Sequence, residues 1–336
     1  MGTVKKTESK IYREAKYLYR DVNYALGIYN NFYKKACGNR IMIYHGICLQ
    51  DHKRFNPIFL TRDKFESHLK FYKKYFNVIS LADYYQQKFS RKKFNVCLTF
   101  DDGFANNYNY VLPLLERYKI PATFFITAIR DSGYDILWHD FLGIVSKYGP
   151  KKIIYKDEPY YKGKYDKYIS VKTGISLVEH LRCCNFNEKA ALMDFLYPLV
   201  PFKLNKADED YWLQMTREQI KHMAESRFVN IGAHGHYHND LSKISIGNAR
   251  KELAFSKQYL ENIINKPVDS FAFPYGSYTP DVINHAKAIG YTQLLAMDFL
   301  SATDHHDVTM RERFTVNPFI STNNQMHATI KRHYDH

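Results

Sequence analysis

Short apolar runs that each stop at a polar tip, with helical stretches between them, most constrain what this 336-residue chain can fold into. Arg40 to His45 reads as a buried strand ending in a histidine, and Asn95 to Phe100 as another ending in the adjacent acids Asp101 and Asp102. Phe228 to Ala233 ends in His234, and Ser270 to Phe273 ends in Pro274-Tyr275-Gly276. Further strands are expected at Val78–Ile79, Ala122–Thr127 and Tyr291–Ala296. Helices are expected over Thr61–Phe76, Leu81–Lys88 with Ser80 as cap, Asn106–Tyr118, Asn248–Asn262 and Pro280–Ile289. Thr216, with Gln219 three residues on, marks another helix that runs to Ala224. Strand followed by helix, repeated, predicts a parallel sheet, and in such folds chemistry gathers at the C-terminal ends of the strands.

The sequence between Arg130 and Leu213 breaks this rhythm. Lys151–Lys156 and Tyr160–Lys172 suggest a small hairpin, and Ser176–Leu199 a helix. The block is expected to lie over or beside the mouth of the sheet. The expected organisation is therefore an N-terminal basic amphipathic helix in 1–39, a main domain in 40–322 with the insertion at about 130–213, and a tail in 323–336. Asn323–Arg332 is a candidate last helix within that tail.

Asp101 and Asp102 stand at a strand end where Gly103 permits a turn, so both acids can reach one pocket in different roles. A solvated Asp-Asp-Gly turn is the plainer alternative. His234 and His238, four residues apart at the end of another strand, can meet one ion, with His236 between them. A carboxylate added to two imidazoles makes a facial set with open positions for water and substrate. The second acid can then stay off the ion as a general base. A turn such as Phe273 to Gly276 can aim a backbone N–H at an oxyanion, although such a turn is more often only a turn.

In this order the motifs resemble those of the polysaccharide deacetylases of carbohydrate esterase family 4. They are Thr99-Phe100-Asp101-Asp102-Gly103-Phe104, the stretch Ile231 to Ser242, and Phe271 to Gly276. The resemblance covers roughly Ile41 to Val316, with 130–213 poorly matched. Tyr44-His45, and Ala272 where many members carry arginine, are closer to the poly-N-acetylglucosamine deacetylase subgroup. The resemblance implies an α/β fold, a distorted (β/α) barrel of about seven parallel strands. It also implies Asp101 as catalytic base, Asp102, His234 and His238 as ligands of a divalent ion, and the Tyr275 amide as oxyanion donor. Zn²⁺ is the leading ion, with Co²⁺, Ni²⁺ or Fe²⁺ as alternatives. Arg313 stands in for the arginine missing at Ala272, or is an ordinary structural arginine. His327 and His45 are the candidates for the general acid. His45, His236, Pro274 and Tyr275 are expected around the substrate.

The implied activity is removal of N-acetyl groups from amino sugars of a polysaccharide or glycolipid. The alternatives are an O-acetyl esterase and an inactive carbohydrate-binding protein on the same fold. The net charge of +14 favours anionic partners. The lysines are spread along the chain, and no helix-turn-helix, zinc finger or RNA-recognition signature occurs, so no nucleic acid is expected. Ile11 to Tyr33 carries Ile11, Ala15, Leu18, Val22, Leu26 and Tyr29 at helical spacing beside Lys10, Arg13, Lys16 and Arg20. Such a helix can lie on an anionic membrane surface, near lipid-linked sugars, though packing its apolar side on its own domain is the commoner arrangement. Gly38 is the expected end of this helix. The five cysteines form no C-x-x-C pair, which suits reduced surroundings. With no signal-peptide pattern and no apolar run of membrane-spanning length, the expected location is cytoplasmic, at the inner membrane face if the helix binds there.

Overall fold

The molecule is described by a computed structural model covering residues 2–200 and 202–335. Met1, Pro201 and His336, which the expected segments include, lie outside the described residues. Among the described residues nine strands make one parallel sheet: β1 Asn39–Tyr44, β2 Asn77–Val78, β3 Asn95–Phe100, β4 Ala122–Ile126, β5 Val229–Ala233, β6 Ser270–Ala272, β7 Gln293–Ala296, β8 Met310–Glu312 and β9 Phe314–Thr315. Their order is β8-β7-β6-β5-β4-β3-β1-β9, with β2 paired to the start of β3.

β8 and β9 are one passage of chain broken only at Arg313. Its first half pairs with β7 (Met310 opposite Leu294) and its second with β1 (Phe314 opposite Met42). This passage closes the sheet into a distorted (β/α) barrel of seven staves, with β2 outside the circuit. β3, the strand that ends in the two acids, is buried along its whole length. Such a strand can be apolar throughout because a parallel barrel covers both faces.

Twelve helices are described: α1 Gly2–Ala25, α2 Asn30–Lys34, α3 Arg62–Tyr75, α4 Leu81–Tyr85, α5 Leu112–Tyr118, α6 Trp138–Tyr148, α7 Leu177–Arg182, α8 Phe186–Leu196, α9 Arg217–Met223, α10 Ile246–Ile264, α11 Pro280–Ile289 and α12 Thr322–Lys331. Thr61 and Ser80 cap α3 and α4, and Thr216 with Gln219 forms a reciprocal capping box on α9.

Three expected helices are divided. Ile11 to Tyr33 is cut at Gly27, whose φ of +77° ends α1, and Gly38 lies past α2 at the entry to β1. Asn106–Tyr118 opens as a π-turn over Asn107–Val111 before α5. Ser176–Leu199 is two helices, because Asn185 caps a new start at α8. The expected hairpin is a three-stranded antiparallel sheet of Lys152–Tyr155, Glu158–Lys162 and Tyr168–Ser170.

This sheet and helices α6 to α8 share a separate apolar cluster built on Trp138, Phe141, Val145, Leu192 and Trp212. The Trp138 indole N–H donates to the His238 carbonyl (3.2 Å), which ties the inserted block to the rim of the barrel.

The apolar side of α1 faces outward, against the expectation that it packs on the domain. Ile11, Ala15, Leu18, Val22 and Leu26 are exposed and Tyr29, past the end of α1, packs on Phe32 and Tyr33, while polar side chains hold the helix to α12. The reason is the partner surface: Asn323, Asn324 and Asp335 offer α1 hydrogen bonds along its length, while Tyr24 near its end packs on Tyr33 and Phe71.

Candidate metal and catalytic site

The last rung of the β1–β3 ladder is the Asp101 amide donating to the Tyr44 carbonyl (2.9 Å). The chain then turns through Asp102 at φ +77° and Gly103 at φ +85°. A Cβ on Gly103 would stand 2.8 Å from the Ile126 side chain, so a glycine fits both the turn and the space. The positive φ at Asp102 is an uncommon conformation that the surrounding structure must hold. It leaves Asp101 and Asp102 in one pocket.

Asp101 meets Arg313 through two parallel bonds, Nη1 to Oδ1 at 2.7 Å and Nη2 to Oδ2 at 2.8 Å. Both side chains are buried. Arg313 reaches inward from the single residue between β8 and β9, and its Nη1 also donates to the Thr99 hydroxyl (3.2 Å). Burial acts to raise the Asp101 pKa, but the Arg313 charge, with His234 and His45 behind it, holds the carboxyl below its ordinary value.

Asp102 Oδ1 stands 3.2 Å from His238 Nε2 and 3.5 Å from His234 Nε2. Two atoms each bonded to one zinc at roughly 2.0–2.1 Å, at a tetrahedral angle, lie about 3.4 Å apart, so the donor set fits such an ion. Among the described residues, Asp102, His234 and His238 are the grouping of acids, histidines and cysteines that could hold a metal. His234 Nδ1 donates to the Ala272 carbonyl (2.7 Å), which leaves Nε2 as the free donor atom. Burial raises Asp102, but hydrogen bonds from both imidazoles outweigh it, and the carboxyl lies well below its usual range.

The loop carrying the imidazoles is braced from beneath. The Glu252 carboxylate on α10 accepts from the amides of His236 (2.7 Å) and Tyr237 (2.9 Å) and from Asn239 Nδ2 (2.7 Å). Lys189 on α8 donates to Asn239 and lies over the Trp138 ring, 4.6 Å from its centroid. Burial pushes the Lys189 ammonium down to about 8. Sequence reasoning passed over Glu252. Its signal was an acid on the same helical face as Ala249, Leu253, Ser256 and Leu260, all of them buried.

A cavity of about 290 Å³ brings together His45, Asp101, Asp102, His234, His238, Tyr275 and Arg313. Tyr275 is left-handed (φ +59°) in a tight turn, and its ring lies between His238 (4.8 Å) and the Arg182 guanidinium (4.5 Å). Gly276 allows that turn to approach the chain, since a Cβ there would lie 2.7 Å from Met297. Burial lowers the pKa of His45 against the pull of both acids.

His139 joins the cavity unforeseen by sequence reasoning, because it sits in the segment read as insertion. It opens α6, its ring centroid lies 4.6 Å from that of His238, and its buried Nδ1 has no partner. Burial, reinforced by His238, pushes its pKa down to about 3. Beside it, burial and the Asp102 charge raise Asp140 well above the carboxylate range.

Three expected residues are not in this cavity. His327, on α12, stacks on Phe32 with ring centroids 5.3 Å apart, and α12 lies on the outer layer against α1 and α3. His236 points the other way along its loop, to the Ser132 hydroxyl (3.0 Å), and lines a neighbouring pocket with Asn185, Phe186 and Glu252. Pro274 is buried behind the turn that presents Tyr275.

Comparison with known proteins agrees with this geometry. A family profile described as Polysaccharide deacetylase matches residues 88–147 and 201–294, so the gap falls within the inserted block. No curated protein matches the sequence. Among solved structures, a deacetylase of Streptococcus pyogenes, PplD, in complex with acetate is 17% identical over 86% of this chain and 97% of its own, with a TM-score of 0.55. The putative polysaccharide deacetylase BA0330 of Bacillus anthracis is 18% identical over 87% of this chain and 68% of its own (TM-score 0.54). IcaB from Ammonifex degensii is 16% identical over 88% and 98% (TM-score 0.52). At these identities the likeness is one of fold.

Proposed function

This chain belongs to the polysaccharide deacetylase family, and we propose that it is a metal-dependent N-deacetylase acting on amino sugars, nearest in character to the poly-N-acetylglucosamine deacetylases. One observation carries the reading. Of two adjacent carboxylates, Asp102 faces both imidazoles at 3.2 and 3.5 Å, while Asp101, 3.9 Å from His234 Nε2, has both its oxygens bound by a buried arginine that keeps it ionised. That is the division of labour which hydrolysis by an activated water needs.

A divalent ion held by Asp102, His234 and His238, with zinc the best fit to the donor set, would supply Lewis acidity toward water and the acetyl carbonyl. Asp101 takes the proton from the attacking water, and Arg313 keeps Asp101 oriented and charged beforehand. The Tyr275 amide donates to the oxygen that gains charge. His45, which lines the same cavity, gives a proton to the leaving nitrogen once protonated, a state that burial disfavours and the two nearby acids favour. The C–N bond breaks to release acetate and a free amine. The inserted segment at about 130–213 shapes substrate choice through His139 and Arg182.

The substrate class is an N-acetylated glycan. A lipid-linked sugar at the cytoplasmic membrane face is the form of it that peripheral membrane contact brings within reach. Among the described residues no helix is long and apolar enough to cross a membrane.

With Zn²⁺ or Co²⁺ supplied, the protein is expected to release acetate and free amine from N-acetylglucosamine oligomers, and to lose this on chelation. Hydrolysis of aryl acetates and O-acetyl glycans alone would instead identify an esterase. Glycan binding without either hydrolysis would identify an inactive binding protein. His234→Ala and His238→Ala are each expected to lose bound metal, read by emission spectroscopy, together with turnover. Stoichiometric metal in either variant would remove that histidine from the ligand set.

A further inference from the structure

Helix α1 is attached by its polar side and, near its end, by Tyr24, which packs on Tyr33 and Phe71. The Arg20 guanidinium pairs with Asp335 and reaches Asn324 Oδ1 (3.5 Å). Asn324 Nδ2 donates to the Tyr17 carbonyl (3.1 Å), and Asp21 accepts from the Ser321 hydroxyl (2.6 Å) and Asn323 Nδ2 (3.2 Å). The opposite side presents Ile11 (66% exposed), Leu18 (66%), Val22 (48%) and Leu26 (70%) in one stripe, about 22 Å long at helical rise. Tyr12 (63%) and Tyr19 (64%) run beside it. A row of this kind left facing solvent marks an interaction surface rather than chance exposure.

The occupant follows from charge. Residues 10–35 hold six Lys or Arg and two Asp or Glu. Both acids are engaged, Glu14 by Arg13 and Asp21 by α12. Lys10 on α1 is exposed, as are Lys34 at the end of α2 and Lys35 after it; Lys16 is half-exposed and lies 3.6 Å from Asp335. A second copy docked through the same stripe would bring these cations against their own images across a two-fold axis. An anionic bilayer offers phosphates to the lysines, hydrocarbon to the stripe, and the interface that tyrosine rings favour.

We propose that α1 is an in-plane membrane anchor, held to the barrel by its polar face and inserted by its apolar face into the head-group boundary of an anionic bilayer. This deepens the membrane contact named above by assigning it to one face of one helix. The anchor is separable from the chemistry, because among the described residues none from α1 lines the catalytic cavity.

The test is flotation of the full chain with phosphatidylglycerol–phosphatidylcholine vesicles at low salt. Binding is expected to be at least about tenfold tighter than to phosphatidylcholine alone and to weaken as salt rises. Leu18→Glu with Leu26→Glu is expected to lower partitioning by about a hundredfold, and Leu18→Phe with Leu26→Phe to retain it. Melting temperature and hydrolysis of water-soluble oligomers are expected to stay unchanged in both pairs. Vesicles left unbound, or bound equally well by the glutamate pair, would overturn the assignment. So would a dimer in sedimentation velocity that the glutamate pair dissolves while vesicles are ignored, since the occupant would then be a second copy.

Discussion

Asp101→Asn is expected to lower deacetylation by about 10²- to 10⁴-fold, the range a positioned general base contributes, while bound metal stays unchanged. The substitution keeps the shape of the side chain and leaves Asp102, His234 and His238 untouched. It removes the charge that accepts the proton from water. It also leaves the Arg313 guanidinium, buried with its side chain almost wholly out of solvent, facing a neutral amide. Some loss of stability should therefore accompany the loss of rate. Rate and metal content, measured on the same preparation, separate the two roles given to the adjacent acids. A near-normal rate would show that water is deprotonated elsewhere. Loss of metal together with rate would move Asp101 into the ligand set.

What could be read from the sequence was local, and what could not was long-range. β3 and the acid pair were legible because an apolar strand, two carboxylates and a glycine are contiguous. The imidazole pair was legible for the same reason, four residues apart at a strand end. Closure of the barrel was legible only through the family resemblance, because β8 and β9 hold three and two residues and carry no periodicity of their own. They are strands only because β7 and β1 stand on either side. The outward face of α1 was hidden. Its stripe reads the same whether it packs or is exposed, and the side chains that decide, Asn324 and Asp335, lie some three hundred residues downstream. His327 and His139 show the same limit from the catalytic side. A histidine's position in the chain says little about which layer receives it, and α12 takes one to the outside while α6 brings the other against His238.

Arg313→Met is expected to be the most destabilising single change near the site, by about 3–5 kcal/mol at neutral pH, because it strands a buried carboxylate without its cation. The pH dependence gives the sign. In the native chain the folded-state pKa of Asp101 is depressed, so the pair's contribution is present above the ordinary carboxylate pKa and is lost as pH falls through the depressed value. Without Arg313 burial dominates and the folded-state pKa rises. The variant's deficit should then be largest at neutral pH and shrink on acidification, as protonation relieves the stranded charge. Denaturant unfolding across that pH range reads this directly. Catalysis should follow the same shift. The acid limb of the rate profile moves to higher pH, because Asp101 must be ionised to act as base. Metal binding should survive, since Arg313 does not touch His238 or Asp102. Arg313→Lys restores the charge but not the two-bond geometry, so it should recover the position of the acid limb more fully than the rate. If the acid limb were unmoved in Arg313→Met, the arginine would be a packing residue and the ionisation of Asp101 would have another source.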